Sequence, residues 1–375
     1  MRTSLTHRQN KALSDILYSM SVRVYICHTY YHAYVAAVKE LVLGSSHYGE
    51  ADIILSKLSN DFGSLSDRLT ASGVFGEVFM YDEQDESASP EVMSHHCDRG
   101  NIVSNMIQRV IYTRLLGRLQ EDYIPTDLTR YKDIYVFCDS DPIGYYLNVH
   151  KIPYHALEDG LNSGLLDDQA YLANKRAFGL KRLLSAMGLI FIESGYGRYC
   201  IDYEVNDRSA NHSVPPNVIE VPRKELTARL TNDDHDKLVS MFLEDVDELY
   251  RKLADDGTGR PFAMILTEPL CALDVRRRLF GDVIDMYRDD YRVIVKPHPR
   301  DVLDYETQFP DCVVIRGRFP MEVINDMRVL KVDKLVSVIT QIDNVTFARE
   351  KEYLGLDFLD KYEAPEIHRR LDSLV

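Results

Sequence analysis

Short apolar runs rich in β-branched and aromatic residues recur along this chain, each ending at a polar loop before a helix-like segment. They fall at 22–27, 51–56, 76–81, 133–138 and 153–157 in the first half and at 263–267, 292–296, 312–315 and 334–337 in the second. Such alternation restricts the chain to an α/β class with a mostly parallel sheet, because parallel neighbours need a crossover between them. Helices are expected at 33–43, 101–120 and 274–287, with a short one at 321–326. In 101–120, Ile102, Met106, Val110, Leu115 and Leu119 recur at helical spacing beside Val103, Ile107, Ile111 and Leu116, which predicts one face packed on a sheet. No internal repeat of about 20 to 50 residues is visible, which disfavours a solenoid.

The chain has 375 residues, and at about 100 to 200 residues per domain this suggests two domains. Between 206 and 225 the pattern lapses into small polar residues around Pro215 and Pro216, which reads as a linker. The expected division is an N-terminal domain at 1–205, a linker at 206–225 and a C-terminal domain at 226–375. Against 44 Lys and Arg stand 59 Asp and Glu, a net charge of −15. That balance disfavours a broad surface for nucleic acid or anionic lipid, leaves room for a small cationic pocket, and requires any peripheral membrane contact to come from a local patch. Acidic residues crowd 81–90, where Asp82, Glu83, Asp85 and Glu86 predict an exposed loop. The six cysteines form no close pair, which fits a reducing, cytoplasmic compartment. No export signal is visible, and no apolar stretch approaches the roughly 20 residues of a membrane span.

Ligands of open α/β sheets gather beyond the carboxyl ends of strands, so the residues just after each run deserve most weight. After 292–296, Pro297 and Pro299 fix the backbone on both sides of His298, with Lys296 and Arg300 adding positive charge. A histidine so placed can protonate or hydrogen-bond a departing phosphate; the alternative is a proline-rich surface turn. After 153–157, Glu158 and Asp159 offer paired carboxylates, and Gly160 permits positive φ or close ligand approach. One carboxylate can serve as a general base on a sugar hydroxyl, the alternative being ordinary Asp-Gly turn chemistry. At the first strand end, His28 to His32 either meet substrate, with Thr29 and Tyr30 the nearer contacts, or pack under the first helix.

In this order and placement, Glu158-Asp159-Gly160 and His298-Pro299 resemble the D/E-D/E-G and HP motifs of bacterial GT-B sialyltransferases. That group includes the lipooligosaccharide sialyltransferases of glycosyltransferase family 52, the bacterial polysialyltransferases and a multifunctional marine and Pasteurella-type family. The segment at 265–270, with Thr267, is similar to the strand end that opens the family's nucleotide-binding domain, and 319–324 resembles the segment whose glutamate, here Glu322, binds the donor ribose. The family's adjacent hydroxyl pair for the donor phosphate is here Ser337-Val338, with Thr340 as the nearest second hydroxyl.

The resemblance implies a GT-B fold, two Rossmann-like domains facing each other across a cleft, and inverting transfer of sialic acid from CMP-sialic acid to a hydroxyl of a capsule or lipooligosaccharide glycan. It implies Glu158 as base, Asp159 as its support and His298 acting on the CMP leaving group, with no cofactor and no required metal. Gly160, Thr267, Lys296, Pro299, Arg300, Glu322, Ser337 and Thr340 would serve the donor, and Thr29 and Tyr30 the acceptor. The enzyme would work in the cytoplasm or at the inner face of the cell membrane. Alternatives are a transferase using CMP-Kdo or CDP-glycerol, a GT-B nucleotide-sugar epimerase, and an inert glycan-binding relative. Asp139-Ser140-Asp141 formally matches a metal-binding DxD, but Pro142 suggests a helix-start loop and favours a capping or acceptor-side role. The cluster His95, His96, Cys97 and Asp98 reads as a polar loop, and the arginines at 276–278 as a solvated helical face.

Overall fold

The computed structural model describes residues 22–160, 174–210, 215–254, 257–298, 301–328, 330–340, 342 and 345–364. The chain divides into two compact units, Met1–Asp234 and His235–Val375. The first contains β1 (Arg23–Cys27), α1 (Tyr30–Leu43), β2 (Ala51–Ser56), α2 (Leu65–Ser72), β3 (Val78–Tyr81), α3 (Pro90–His95) and α4 (Ile102–Leu119). It continues with β4 (Asp133–Phe137), α5 (Pro142–His150), β5 (Tyr154–Leu157), α6 (Phe178–Ala186), β6 (Cys200–Val205), β7 (Val218–Glu220) and α7 (Arg223–Thr227), and α8 (Asn232–Phe242) spans the boundary.

Its seven strands run β3-β2-β1-β4-β5-β6-β7, every neighbouring pair parallel. Because both faces are covered, β1 and β2 read as continuous apolar runs rather than alternating ones. Val24, Ile26, Ile54, Val136 and Ala156 are all buried in the core under the helices. The strand order reverses between β1 and β4, and in doubly wound sheets the crevice at such a reversal receives ligands.

The expected linker needs correcting. Residues 218–220 are the edge strand β7, paired to β6 through Tyr203 and Val218, and the unit boundary falls later, after Asp234. The apolar stripe of α4 also divides differently from expectation. Only Thr113, Leu116 and Gly117 are buried, while Val103 and Ile107 are 67% and 54% exposed. The buried half meets α5 closely at Gly117, where a Cβ would lie 2.6 Å from the Tyr145 carbonyl oxygen; in the turn from β4 into α5, one on Gly144 would lie only 1.9 Å from the Asp139 carbonyl oxygen.

The second unit is a smaller copy of the same plan. It holds α9 (Val246–Leu253), β8 (Phe262–Leu266), α10 (Leu273–Tyr287), β9 (Arg292–Lys296), α11 (Tyr305–Gln308), β10 (Val313–Val314), α12 (Val323–Asp326), β11 (Val332–Ser337), β12 (Ala348–Tyr353) and α13 (Leu356–Leu359). The five parallel strands run β10-β9-β8-β11-β12, with the reversal between β8 and β11. Leu279, Phe280, Val283 and Ile284 of α10 pack on Ala263, Ile265, Val293 and Val295, which explains the helical spacing of the apolar positions in 274–287. Among the described residues no helix is long and apolar enough to cross a membrane.

Candidate active site

Each sheet reversal carries a set of polar residues held by its strand ends. In the first unit, the backbone N–H of His28, just past β1, donates to His32 Nδ1 at 3.1 Å. That assigns the tautomer: with Nδ1 accepting, the neutral ring keeps its hydrogen on Nε2, which lies 2.8 Å from Asp159 Oδ1 and 2.9 Å from the Asp159 carbonyl oxygen. The ring of His32 is buried and stacks on Phe137 at 4.5 Å. Burial lowers the His32 imidazole against the pull of Asp159, so it is neutral at pH 7. The hydrogen bond from His32 in turn holds the Asp159 carboxyl down at about 2.

Glu158 and Asp159 therefore occupy different environments although adjacent in sequence. The Asp159 side chain is 62% exposed. Glu158 is 3% exposed, and its Oε1 accepts from the Asn206 backbone N–H at 2.6 Å, a partner supplied by the residue after β6. Gly160 does not take a left-handed conformation, and a Cβ there would meet nothing within 4 Å among the described residues, so positive φ is not the reason for glycine here.

His28 anchors a second group. Its Nε2 lies 2.8 Å from Glu83 Oε2 and 3.4 Å from Asp141 Oδ2. Glu83 also accepts from Ser56 Oγ at 2.5 Å and from the Ile143 backbone N–H at 2.7 Å. Burial pulls the His28 imidazole down, but the charge and hydrogen bond of Glu83, with Asp141 behind, outweigh it and raise it above its ordinary value. The exposed acidic loop expected at 81–90 is thus corrected at Glu83, whose carboxylate is buried because neighbouring donors replace its water.

The Asp139-Ser140-Asp141 segment is also accounted for locally. Asp139 is buried and accepts from Tyr154 Oη, Ser194 N and Gly195 N at 2.9, 2.6 and 3.2 Å. Asp141 stands at the N-cap of α5 without a side-chain capping bond, contrary to expectation, and turns toward His28 instead. Burial pushes both carboxyls up to about 6.

Thr29 and Tyr30, expected on the acceptor side, have structural uses. Thr29 caps α1 by accepting from His32 N, and Tyr30 is buried against Phe62. Ligand-type atoms of His32, Cys138 and Asp159 lie within 4.8 Å of one another. The His32 hydrogen is directed at the carboxylate and burial raises the Cys138 thiol, so the three groups engage one another here.

In the second unit the loop after β9 is clamped on both sides of His298. Its N–H donates to Thr267 Oγ1 at 3.1 Å and its carbonyl accepts from Asp301 N at 2.8 Å. Thr267 Oγ1 donates to Asp301 Oδ2 at 2.9 Å, Tyr305 Oη to the same oxygen at 2.8 Å, and Arg276 Nη1 to Oδ1 at 2.7 Å. The Thr267 hydroxyl thus braces the loop rather than standing open to a donor. Arg276 is likewise no solvated surface arginine. It is 7% exposed, and its remaining nitrogens bind the Leu270 and Cys271 carbonyls. Pro299 and Arg300 lie outside the described residues.

Lys296 is buried, with Nζ 4.6 Å from the centre of the Phe319 ring. Burial, opposed by the charge of Glu322, lowers its amine to about 8; burial likewise raises the Glu322 carboxyl. At the β8/β11 reversal, Glu268 Oε1 accepts from the N–H groups of Ile339 and Thr340 at 3.2 and 3.0 Å and lies 3.0 Å from Ser337 Oγ. Ser337 Oγ is also 2.7 Å from the Thr340 carbonyl oxygen. A protein carboxylate therefore sits on the donors that the Ser337 to Thr340 turn offers to an anion. Glu268, Asp301, Asn206 and Glu83 escaped the sequence reading. Positions immediately after a strand, or three residues after His298, were the available signal for Glu268 and Asp301.

A model of glycosyltransferase family 52 matches residues 85–345 of the chain. An uncharacterized protein of Haemophilus influenzae is 32% identical over 99 residues, covering 25% of this chain; the match spans 30% of that relative's length. Among solved structures, the GT-B domain of a Photobacterium damselae sialyltransferase aligns at 13% identity and TM-score 0.48, over 85% of this chain and 86% of that one. An α/β-galactoside α-2,3-sialyltransferase of Photobacterium phosphoreum aligns at 10% identity and TM-score 0.44, over 88% and 89%. A UDP-GlcNAc 2-epimerase of Neisseria meningitidis aligns at 10% identity and TM-score 0.43, over 84% and 76%.

Proposed function

This chain belongs to glycosyltransferase family 52, and from that premise we propose that it is an inverting, metal-independent transferase moving sialic acid from CMP-sialic acid to a hydroxyl of a bacterial surface glycan. The observation that supports the reading is that a carboxylate loop ends β5 of the first unit, and a histidine whose backbone is clamped on both sides ends β9 of the second.

Glu158 is the general base in this reading. Asp159, held at about 2 by His32, is too weak a base to serve, since a base works best with a pKa near the working pH. Asp159 instead fixes the loop. As the acceptor oxygen attacks the anomeric carbon, its proton passes to Glu158, the bond from that carbon to the phosphate oxygen breaks, and the electron pair leaves with CMP. His298 donates a hydrogen bond or proton to the departing phosphate. Lys296 adds positive charge and Glu322 binds the ribose. A single phosphate carries less charge than a diphosphate, so these side chains can stabilise it without a cation.

The test is a donor panel: CMP-sialic acid, CMP-Kdo, CDP-glycerol and UDP-GlcNAc, each with and without EDTA, following nucleotide release in the presence of glycan acceptors. Release of CMP from CMP-sialic acid that survives EDTA supports the reading. Turnover confined to another donor, or abolished by EDTA, overturns it.

A further inference from the structure

We propose that Asn206 is a positioning residue that aims Glu158, and that an ion bridge of Arg223, Glu204 and Lys39 holds Asn206 in place. The role rests on the reading of Glu158 as the base. The loop after β5 and the end of β6 are tied together twice. The Glu158 backbone N–H donates to the Glu204 carbonyl at 3.0 Å, and the Asn206 backbone N–H donates to Glu158 Oε1 at 2.6 Å. The first bond fixes the backbone of Glu158 and the second fixes its carboxylate.

A backbone N–H aims at a carboxylate only while its own peptide is held, and here side chains hold it. Asn206 Oδ1 accepts the Arg223 backbone N–H at 2.7 Å, which ties the residue after β6 to the first residue of α7. That donor also settles which end of the Asn206 amide faces α7. The guanidinium of Arg223 reaches back to β6, where Nη1 donates to Glu204 Oε1 and, at 3.2 Å, to the Val221 carbonyl. Lys39, on α1, donates to Glu204 Oε2 at 2.5 Å. Glu204 is buried and carries a cation on each oxygen. Burial pushes its carboxyl up, but the charges of Lys39 and Arg223 outweigh that and keep it below its ordinary value, so it is ionised at pH 7.

Stability alone does not account for this arrangement. A buried ion bridge is often no more stabilising than apolar residues of similar size, and Arg223 leaves Nε and Nη2 buried without a hydrogen-bond partner among the described residues. What the bridge supplies is direction. Arg223 grips both residues that bond to Glu158, Glu204 with its guanidinium and Asn206 with its backbone N–H. A reacting group misplaced by about 1 Å can lose on the order of a hundredfold in rate. The expected nucleotide contacts, Lys296, His298 and Glu322, belong to the second unit, so a fault at Asn206 falls on kcat and not on nucleotide binding.

The test compares, in the full chain, Asn206→Leu, which keeps the size and removes the acceptor, with Asn206→Asp, which keeps an acceptor oxygen. Glu158→Gln is the reference, and thermal melting checks the fold of each. The first readout is the amide proton of residue 206 by NMR, which a short bond to a carboxylate places downfield. Glu158→Gln and Asn206→Leu should each move it upfield, and Asn206→Asp should leave it near the wild-type position. The second is sugar transfer: kcat should fall about tenfold or more in Asn206→Leu with the Kd for CMP unchanged, and stay within about threefold of wild type in Asn206→Asp. Arg223→Met, which keeps the backbone N–H and removes the guanidinium, should lower kcat in the same way. An amide that Glu158→Gln does not move overturns the proposal. So does a wild-type kcat in folded Asn206→Leu beside an inactive Glu158→Gln, or an equal loss in the leucine and aspartate variants. A wild-type kcat in Glu158→Gln removes the base itself, and with it the role of Asn206; the amide shift tells that failure from a missing bond.

Discussion

Thr267 Oγ1 donates to Asp301 Oδ2 at 2.9 Å while accepting the His298 backbone N–H, so one hydroxyl couples the end of β8 to the histidine loop after β9. The Asp301 carboxylate is fully buried and ion-paired to Arg276. Removing it by Asp301→Ala strands a buried guanidinium and is expected to cost about 3 to 5 kcal/mol, read as a lowered urea midpoint. Thr267→Val removes only the hydroxyl and should cost about 1 kcal/mol. Misplacing His298 should nevertheless lower kcat on the order of tenfold or more, with the nucleotide Kd little changed. A Thr267→Val enzyme of wild-type kcat would separate the clamp from function.

The bond from His32 to Asp159 makes a spectroscopic prediction. His32→Phe keeps an aromatic ring on Phe137 but removes the Nε2 donor. The Asp159 side-chain carboxyl, titrated by carbon-13 NMR, should move from about 2 in the wild type toward the ordinary aspartate value of about 3.9. Because the depressed value is a folded-state property, its stabilisation is present above about pH 4 and is lost as pH falls toward 2. An Asp159 titration unmoved by His32→Phe would show that another group holds it.

Lys296 gives a pH dependence of opposite origin. Its amine is charged below about 8 and neutral above, so CMP affinity should fall as pH rises through that range. Lys296→Arg, which stays charged, should flatten the profile. The folded chain binds this proton less firmly than the unfolded chain, where lysine titrates near about 10.4. The same group therefore makes stability rise from about pH 8 toward that value. Isothermal titration of CMP between pH 7 and pH 9 decides the binding question, and an affinity constant across that span would remove Lys296 from the donor site.

Glu268 should be needed for the Ser337 to Thr340 turn. Glu268→Gln retains a side-chain oxygen for the Ile339 and Thr340 N–H groups and should change stability by about 1 kcal/mol or less. Glu268→Ala leaves two backbone donors without that acceptor and should cost about 2 to 4 kcal/mol by chemical denaturation. Equal stability of the two variants would contradict the geometry.

The sequence made the strands legible because β1, β8 and β9 are buried on both faces past their first residue and so appear as apolar runs. It concealed β7, three residues with only Val218 buried, behind the polar composition of an edge strand. His298 and the Glu158 loop were readable because prolines and paired carboxylates mark them locally. Glu83, Asn206, Asp301 and Glu268 were not, since each acts through a partner distant in sequence: His28, Glu158, Arg276 and Ser337 respectively. Arg276 illustrates the cause. Three consecutive arginines look like a solvated face until the fold delivers Asp301 to the first of them. Half of the apolar stripe of α4 misled in the other direction, because periodicity reports an apolar face but not what covers it.

The most direct measurement compares CMP release from CMP-sialic acid, in EDTA and with a glycan acceptor, by the wild type, Glu158→Gln and His298→Ala, each checked for folding. The account predicts metal-independent release in step with sugar transfer by the wild type and a loss of about hundredfold or more in kcat for each variant. Wild-type rates in either folded variant, or a wild type that leaves CMP-sialic acid intact while turning over another nucleotide sugar, would contradict it.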